Sequence, residues 1–175
     1  MKPGQDNFNI RAATFNDAAA LAAIGATTFY HTFRPYNTEE DMQGYLLKSY
    51  NLKLIEANLR DSKIHYFLCE EGELCVGYIK LLEGTAYDGI DENAIELEKI
   101  YVMHPYFGTN AGKMLMQKAI DVALERGFTA LFLGVWQENK RAVSFYHKNG
   151  FNTVTTRQFK LGETICDDFI MMKKL

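Results

Sequence analysis

The most telling pattern in the chain runs over residues 94–112, where an alternating, β-branched run stops at Pro105 and enters a small-residue loop. An amphipathic helix follows. Alternation at period two reads as a strand. Ala111, Met114, Leu115, Ala119, Val122 and Ala123 then recur at three-to-four spacing, which predicts a helix over 109–126 with one buried face. A strand feeding such a loop at a helix N-terminus is a place to hold an anion. The first-turn amides lack intrahelical partners and lie at the positive end of the helix dipole. Gly108, Asn110 and Gly112 are residue types that tolerate left-handed backbone angles, and the glycines let a ligand approach the main chain.

The rest of the chain is read in the same way. Residues 8–14 alternate as a strand, and Asn16-Asp17 opens a helix carrying Ala20, Leu21, Ile24, Thr27, Thr28 and Tyr30. Thr38-Glu39-Glu40-Asp41 reads as a capping box for a second helix, and 51–59 continues as a further helical segment ended by Asp61. Runs 64–70 and 74–82 are strand-like and meet at Glu71-Gly72-Glu73, the chemistry of a hairpin. A polar loop over 83–93 leads into the strand at 94. After the 109–126 helix, Gly127 reads as its cap, 130–136 as an apolar strand and 139–148 as a helix stopped at Gly150-Phe151. Strands at 151–160 and 164–174 close the chain as a hairpin around Leu161-Gly162-Glu163. The order β-αα-βββ-α-β-α-ββ is an α/β pattern of the α+β type, with antiparallel strands around a central βαβ unit. It lacks the dinucleotide fingerprint at its first strand, and Gly112-Lys113 is followed by Met114 rather than the Ser or Thr of a Walker loop.

Composition narrows the field. With 175 residues and 47% hydrophobic content the chain is expected to form a single domain over 8–175, after a flexible N-terminus over 1–7. A net charge of −3 and a pI of about 5.8 disfavour a nucleic-acid binder. The N-terminus has no signal-like apolar stretch and no run has the length of a membrane span, so a soluble, cytoplasmic protein is expected. Cys69, Cys75 and Cys166 are odd in number and lack paired metal spacing, and His31, His65, His104 and His147 are scattered. Neither a disulfide framework nor a metal site is expected, and the cysteines read as small apolar filling.

Two motifs resemble the GNAT superfamily of acyl-CoA-dependent N-acetyltransferases, and the similarity extends over 8–175. Ile100-Tyr101-Val102-Met103-His104-Pro105 is similar to the family's strand end, Val-x-His-Pro. Phe107-Gly108-Thr109-Asn110-Ala111-Gly112 is similar to its Gln/Arg-x-x-Gly-x-Gly/Ala loop, with Phe107 in place of Gln/Arg and Asn110 in place of the middle glycine. The segment from Asn139 through Ala142, Phe145-Tyr146 and Gly150-Phe151 fills every position of the family's Asn-x-x-Ala-x-x-Phe-Tyr-x-x-x-Gly-Phe motif. Phe29-Tyr30-His31-Thr32-Phe33, residues 96–102 and Asp167-Asp168-Phe169-Ile170-Met171 further resemble the PaiA-like polyamine acetyltransferases.

The resemblance implies a mixed, mostly antiparallel sheet of six to seven strands flanked by about four helices, with acetyl-CoA as co-substrate and no metal. It implies that Ile100, Tyr101 and Val102 pair with the pantetheine through their backbones. Phe107, Gly108, Thr109, Asn110, Ala111, Gly112 and Lys113 then hold the pyrophosphate, and Asn139 and Tyr146 reach the same ligand. Tyr146 is implied as the general acid, since a phenol stays protonated at neutral pH and can donate to a leaving thiolate. Glu96 is implied as a general base, and alternation puts Glu98, Ile100 and Val102 on its face of the strand before any bulge. Substrate contacts are expected from His31, Glu98 and Asp168. Glu39, Glu40, Asp41, Glu83, Asp88, Asp91, Glu92, Asp167 and Asp168 lie in segments that the family fold puts around the acceptor mouth, so a polyamine such as spermidine is the implied acceptor. A homodimer through the final strands fits the fold. Two alternatives stay open: a non-catalytic acyl-CoA sensor or interaction module, and a protein N-terminal acetyltransferase.

Overall fold

The structure, a computed structural model, describes residues 7–175. The expected N-terminal tail, apart from Asn7, lies outside the described residues. Seven strands form one sheet in the order β1-β2-β3-β4-β5-β7-β6. They are β1 (Phe8–Ala12), β2 (Ile64–Glu71), β3 (Leu74–Leu82), β4 (Ala94–Val102), β5 (Ala130–Trp136), β6 (Asn152–Leu161) and β7 (Thr164–Lys174). All neighbours are antiparallel except β4 and β5. Five α-helices accompany them: α1 (Ala18–Phe33), α2 (Glu39–Ser49), α3 (Leu52–Arg60), α4 (Ala111–Glu125) and α5 (Lys140–Lys148). The segment read as a continuation of the second helix is a helix of its own. Asn51 restarts the chain there, its Oδ1 accepting the Leu54 N–H at 2.9 Å.

Local chemistry sets the boundaries. Thr38 Oγ1 accepts the Asp41 N–H at the start of α2, and the hairpin glycines Gly72 and Gly162 adopt φ of 61° and 58°, open to glycine at no steric cost. Strand alternation divides the core between two faces. Ile79, Leu81, Ile95 and Leu97 pack on Leu115, Met116 and Ala119 of α4. Leu68 and Tyr78 pack on Leu21 and Ile24 of α1 and Ile55 of α3. Each such fully buried aliphatic side chain contributes about 1.5–3 kcal/mol relative to exposure. Cys69 and Cys166 are buried and unpaired, in keeping with apolar filling.

Two irregularities in β4 shape the function. Lys80 pairs with Lys99 and Leu81 with Leu97, so Glu98 is an extra residue in a β-bulge. A single inserted residue reverses the alternation beyond it. Ile100 and Val102 therefore join Ile95 and Leu97 on the α4 face, while Lys99 and Tyr101 take the other face. The expectation that Ile100 and Val102 share a face with Glu96 is corrected by this bulge. The second irregularity is a splay: β4 and β5 pair only through Ala94, Ile95 and Glu96 against Ala130, Leu131 and Phe132. Beyond that point β5 stays on β7, and the edge of β4 from Leu97 to Val102 faces an open cleft.

Candidate active site

The cleft opened by the splay has two halves. The larger, of ≈480 Å³, runs along the loop before α4 and one face of α5, and includes Gly108, Thr109, Gly112, Lys113 and Lys148. The smaller, of ≈190 Å³, lies under α1 and includes Thr28, Phe33, Tyr45, Glu98, Trp136 and Asp168. Ile100, Val102, Phe107, Arg141, Ala142 and Tyr146 line both. The halves meet at those residues.

The loop half has the features of an anion cradle. Gly108 takes φ +80°, a left-handed turn that aims the chain into α4. Asn110 stands at φ −76° and Gly112 lies within the helix, so the left-handed freedom expected of them is not used. Asn110 caps α4 without a side-chain hydrogen bond, and the Gly112 and Lys113 amides have no partner among the described residues. A side chain at Gly112 would meet the Phe145 ring at 3.7 Å and narrow the groove. Asn110 and Ala111 line neither half; Ala111 is packed into the core.

Tyr146 sits on α5, 8% exposed, with its ring edge-on to Phe145 and Phe151. Burial, and then the nearby Tyr101, push its pKa well above the usual phenol value, so it holds its proton throughout the neutral range. Asn139 caps the same helix, its Oδ1 accepting the Ala142 N–H at 3.2 Å, and lines the smaller half. Tyr101 also lines that half, and its hydroxyl lies 2.9 Å from that of Tyr50.

The two glutamates are separated by the bulge. Glu98 lines the smaller half, between the ammonium groups of Lys80 and Lys99. Burial pushes its pKa up, but Lys99 and Lys80 outweigh it and hold the carboxyl below its ordinary value. Glu96 is 7% exposed, pairs with Leu82 and Phe132 where the ladder is still closed, and lines neither half. Burial, then the charge of Glu98, raise its pKa. Asp168 lines the smaller half as expected, but is tied to Arg157 Nε at 3.2 Å; burial still outweighs that pairing and lifts its pKa.

Several expected substrate contacts are not brought together. His31 is exposed and lines neither half, because Thr28, Phe29, Thr32 and Phe33 form the cleft face of α1. Of the acidic residues expected at the mouth only Asp168 reaches the cleft. Glu39 pairs with Arg34, and Glu83 with His65 and Arg126. Lys80, Lys99 and Arg141 went unread. The signal was present in two of them: Lys80 inside the apolar run 74–82 is buried and Lys99 beside Glu98 in an apolar strand is half-buried, and such charges need partners.

A parallel pair splayed open beside a helix-capped loop, with a buried phenol at the junction, is the architecture of an acyl-transfer cleft. Residues 26–151 match the Acetyltransferase (GNAT) family, and the chain belongs to that family of N-acetyltransferases. It is 32% identical, over 91% of its length and 92% of the relative's, to an uncharacterized N-acetyltransferase of Lactobacillus delbrueckii subsp. lactis. It is 26% identical to the spermidine N(1)-acetyltransferase of Thermoplasma acidophilum, over 96% of this chain and 98% of that one. In fold it is similar to the PaiA N-acetyltransferase of Thermoplasma acidophilum crystallised with coenzyme A, with a TM-score of 0.79, 24% identity and 97% and 99% of the two chains covered.

Proposed function

We propose that residues 8–175 act as one domain that moves an acetyl group from acetyl-CoA directly to a primary amine. One observation carries this reading: Ile100, Val102 and Tyr146 line both halves of the cleft, so a donor in one half and an acceptor in the other meet beside a buried phenol. The loop half fits a pyrophosphate, offering a left-handed glycine turn, unpartnered first-turn amides and the cations Lys113 and Lys148. The open edge of β4 offers its main chain to the pantetheine amides as an added strand would, and a β4 amide there can polarise the thioester carbonyl. Bound acetyl-CoA supplies an activated acyl group and a thiolate leaving group.

The chain's own residues divide the remaining work. Tyr146 holds a proton at its hydroxyl, which has no hydrogen-bond partner among the described residues, and gives it to the departing thiolate. Glu98, the carboxylate in the acceptor half, faces the amine; Glu96 lies behind it, where it can receive a proton only through a water. With no cysteine lining either half, transfer is direct and needs no acyl-enzyme.

A polyamine acceptor is the second reading, and the spermidine-acetylating relative is its support. The test is release of free thiol from acetyl-CoA against a panel of amino acids, polyamines, aminoglycosides and N-terminal peptides. Amine-dependent release with stoichiometric acetylated product is expected. Tight acetyl-CoA binding with no release for any amine would instead make the protein a sensor.

A further inference from the structure

The charges around the acceptor half do not suit a polycation. Four charged side chains line it: Glu98, Lys99, Arg141 and Asp168. Both carboxylates are already answered within the protein. Glu98 is held by Lys80 and by Lys99, the latter at 3.2 Å. Asp168 is held by Arg157, whose Nη1 also donates to the Tyr87 hydroxyl at 3.2 Å. Lys80 and Arg157 bring two further positive charges behind the lining. Arg141 is the exception of the four: exposed at the junction and lining both halves, its guanidinium has no ion pair or hydrogen bond among the described residues and lies 3.5 Å over the Phe107 ring. Burial lowers its pKa, yet a guanidinium stays charged at any physiological pH. The unanswered charge in this chamber is thus a cation.

The remaining side chains include a group of stacked rings, beside the polar Thr28, Thr32 and Asn139. Phe29 stacks on Phe33 and on Tyr45, with centroids 4.3 and 4.2 Å apart, and Phe33 meets Trp136 at 5.4 Å. The Thr28 hydroxyl, also in the lining, is buried without a partner.

We infer that the acceptor is an amino acid-like amine, a primary amine that carries a carboxylate and an apolar or aromatic body, with the carboxylate held by Arg141. This rests on the acetyltransferase reading above and names its substrate class. A planar fork of N–H donors pre-set by stacking on Phe107 matches a carboxylate, at the same junction where the amine must reach the donor. The amine meets Glu98 and the body packs among the rings of α1. A diammonium chain would instead bring its second charge towards Lys99 and Arg141 with no free carboxylate to receive it.

The experiment compares kcat/KM by thiol release for L-phenylalanine and L-methionine, for the matching amines that lack the carboxylate, for spermidine, and for a peptide with an amidated C-terminus. The amino acids should exceed their decarboxylated counterparts by about tenfold or more, the worth of one charge-assisted hydrogen-bonded pair. Arg141→Gln should bring that ratio towards one while the KM for acetyl-CoA stays within about twofold, and Arg141→Lys should restore part of the ratio. Thermal melts check that both variants fold. Preference for spermidine, the decarboxylated amines or the amidated peptide overturns the inference while leaving the acetyltransferase reading standing, as does an effect of Arg141→Gln on acetyl-CoA rather than on the acceptor. Absence of release with every amine would overturn both.

Discussion

Glu96 and Glu98 are two residues apart and chemically identical, yet the fold treats them in opposite ways. Glu98 has two ammonium partners and a lowered pKa; Glu96 is enclosed by strands and has a raised one. The signs follow from linkage. A raised folded pKa means that Glu96 weighs against folding once it ionises, an effect absent below the unfolded value near 4.5 and complete above the folded one. Glu96→Gln should therefore be more stable than the parent at pH 8, with the advantage shrinking as pH falls towards 5. Glu98 acts the other way: its depressed pKa contributes stability above the unfolded value, lost as pH falls through the folded one. Glu98→Gln leaves Lys80 and Lys99 facing each other without an anion, and should cost about 3 kcal/mol at neutral pH. Urea unfolding of Glu96→Gln at pH 5 and 8 and of Glu98→Gln at pH 3 and 7 checks this; a Glu96→Gln effect that does not change with pH, or a Glu98→Gln cost undiminished at the lower pH, would contradict it. The sequence made both glutamates candidates but could not separate them. Alternation put them on one face, and the bulge that gives them different surroundings is set by the register of β3, which one strand read alone does not contain.

At the scale of elements, boundaries were legible where a side chain punctuates the backbone. Thr38, Gly127 and Gly150 sit at ends that their own chemistry dictates, whereas the restart at Asn51 is hidden in a sequence that stays helical on both sides. The splay between β4 and β5 was not legible, because it depends on where pairing stops rather than on which residues favour strands. Gly77 on β3 helps hold it. Gly77 pairs with Val102, and a methyl group added there would crowd the Tyr101 carbonyl and come within 3.2 Å of Val102 Cα. Gly77→Ala must push the end of β4 into the cleft or away from β3. It should lose about 1–3 kcal/mol of stability and weaken acetyl-CoA binding together, since both depend on the same strand edge. Calorimetric titration beside a thermal melt checks the pair. A loss of stability with unchanged binding would show that the edge of β4 does not hold the ligand.

Across the whole molecule, one sheet brings together residues far apart in sequence. Thr28 on α1, Glu98 on β4, Arg141 and Tyr146 on α5 and Asp168 on β7 reach one cleft through the order β4-β5-β7 and the helices laid over it. The loop and α5 motifs could be read directly, because each is a contiguous segment whose spacing reflects one turn or one helix face. The acceptor chamber could not: its walls come from seven separate helices and strands, and its charge depends on Lys80 and Arg157, which stand behind it. The acidic residues along the chain suggest a polycation, but of the nine only Asp168 lines the cleft, and it is paired with Arg157. The central claim is that donor and acceptor halves meet at Tyr146, whose proton completes the transfer. Steady-state turnover of Tyr146→Phe, with the acetyl-CoA dissociation constant measured on the same preparation, tests it most directly. The account predicts that kcat falls by about 10²-fold or more while acetyl-CoA binding is unchanged. Undiminished turnover in that variant would contradict it.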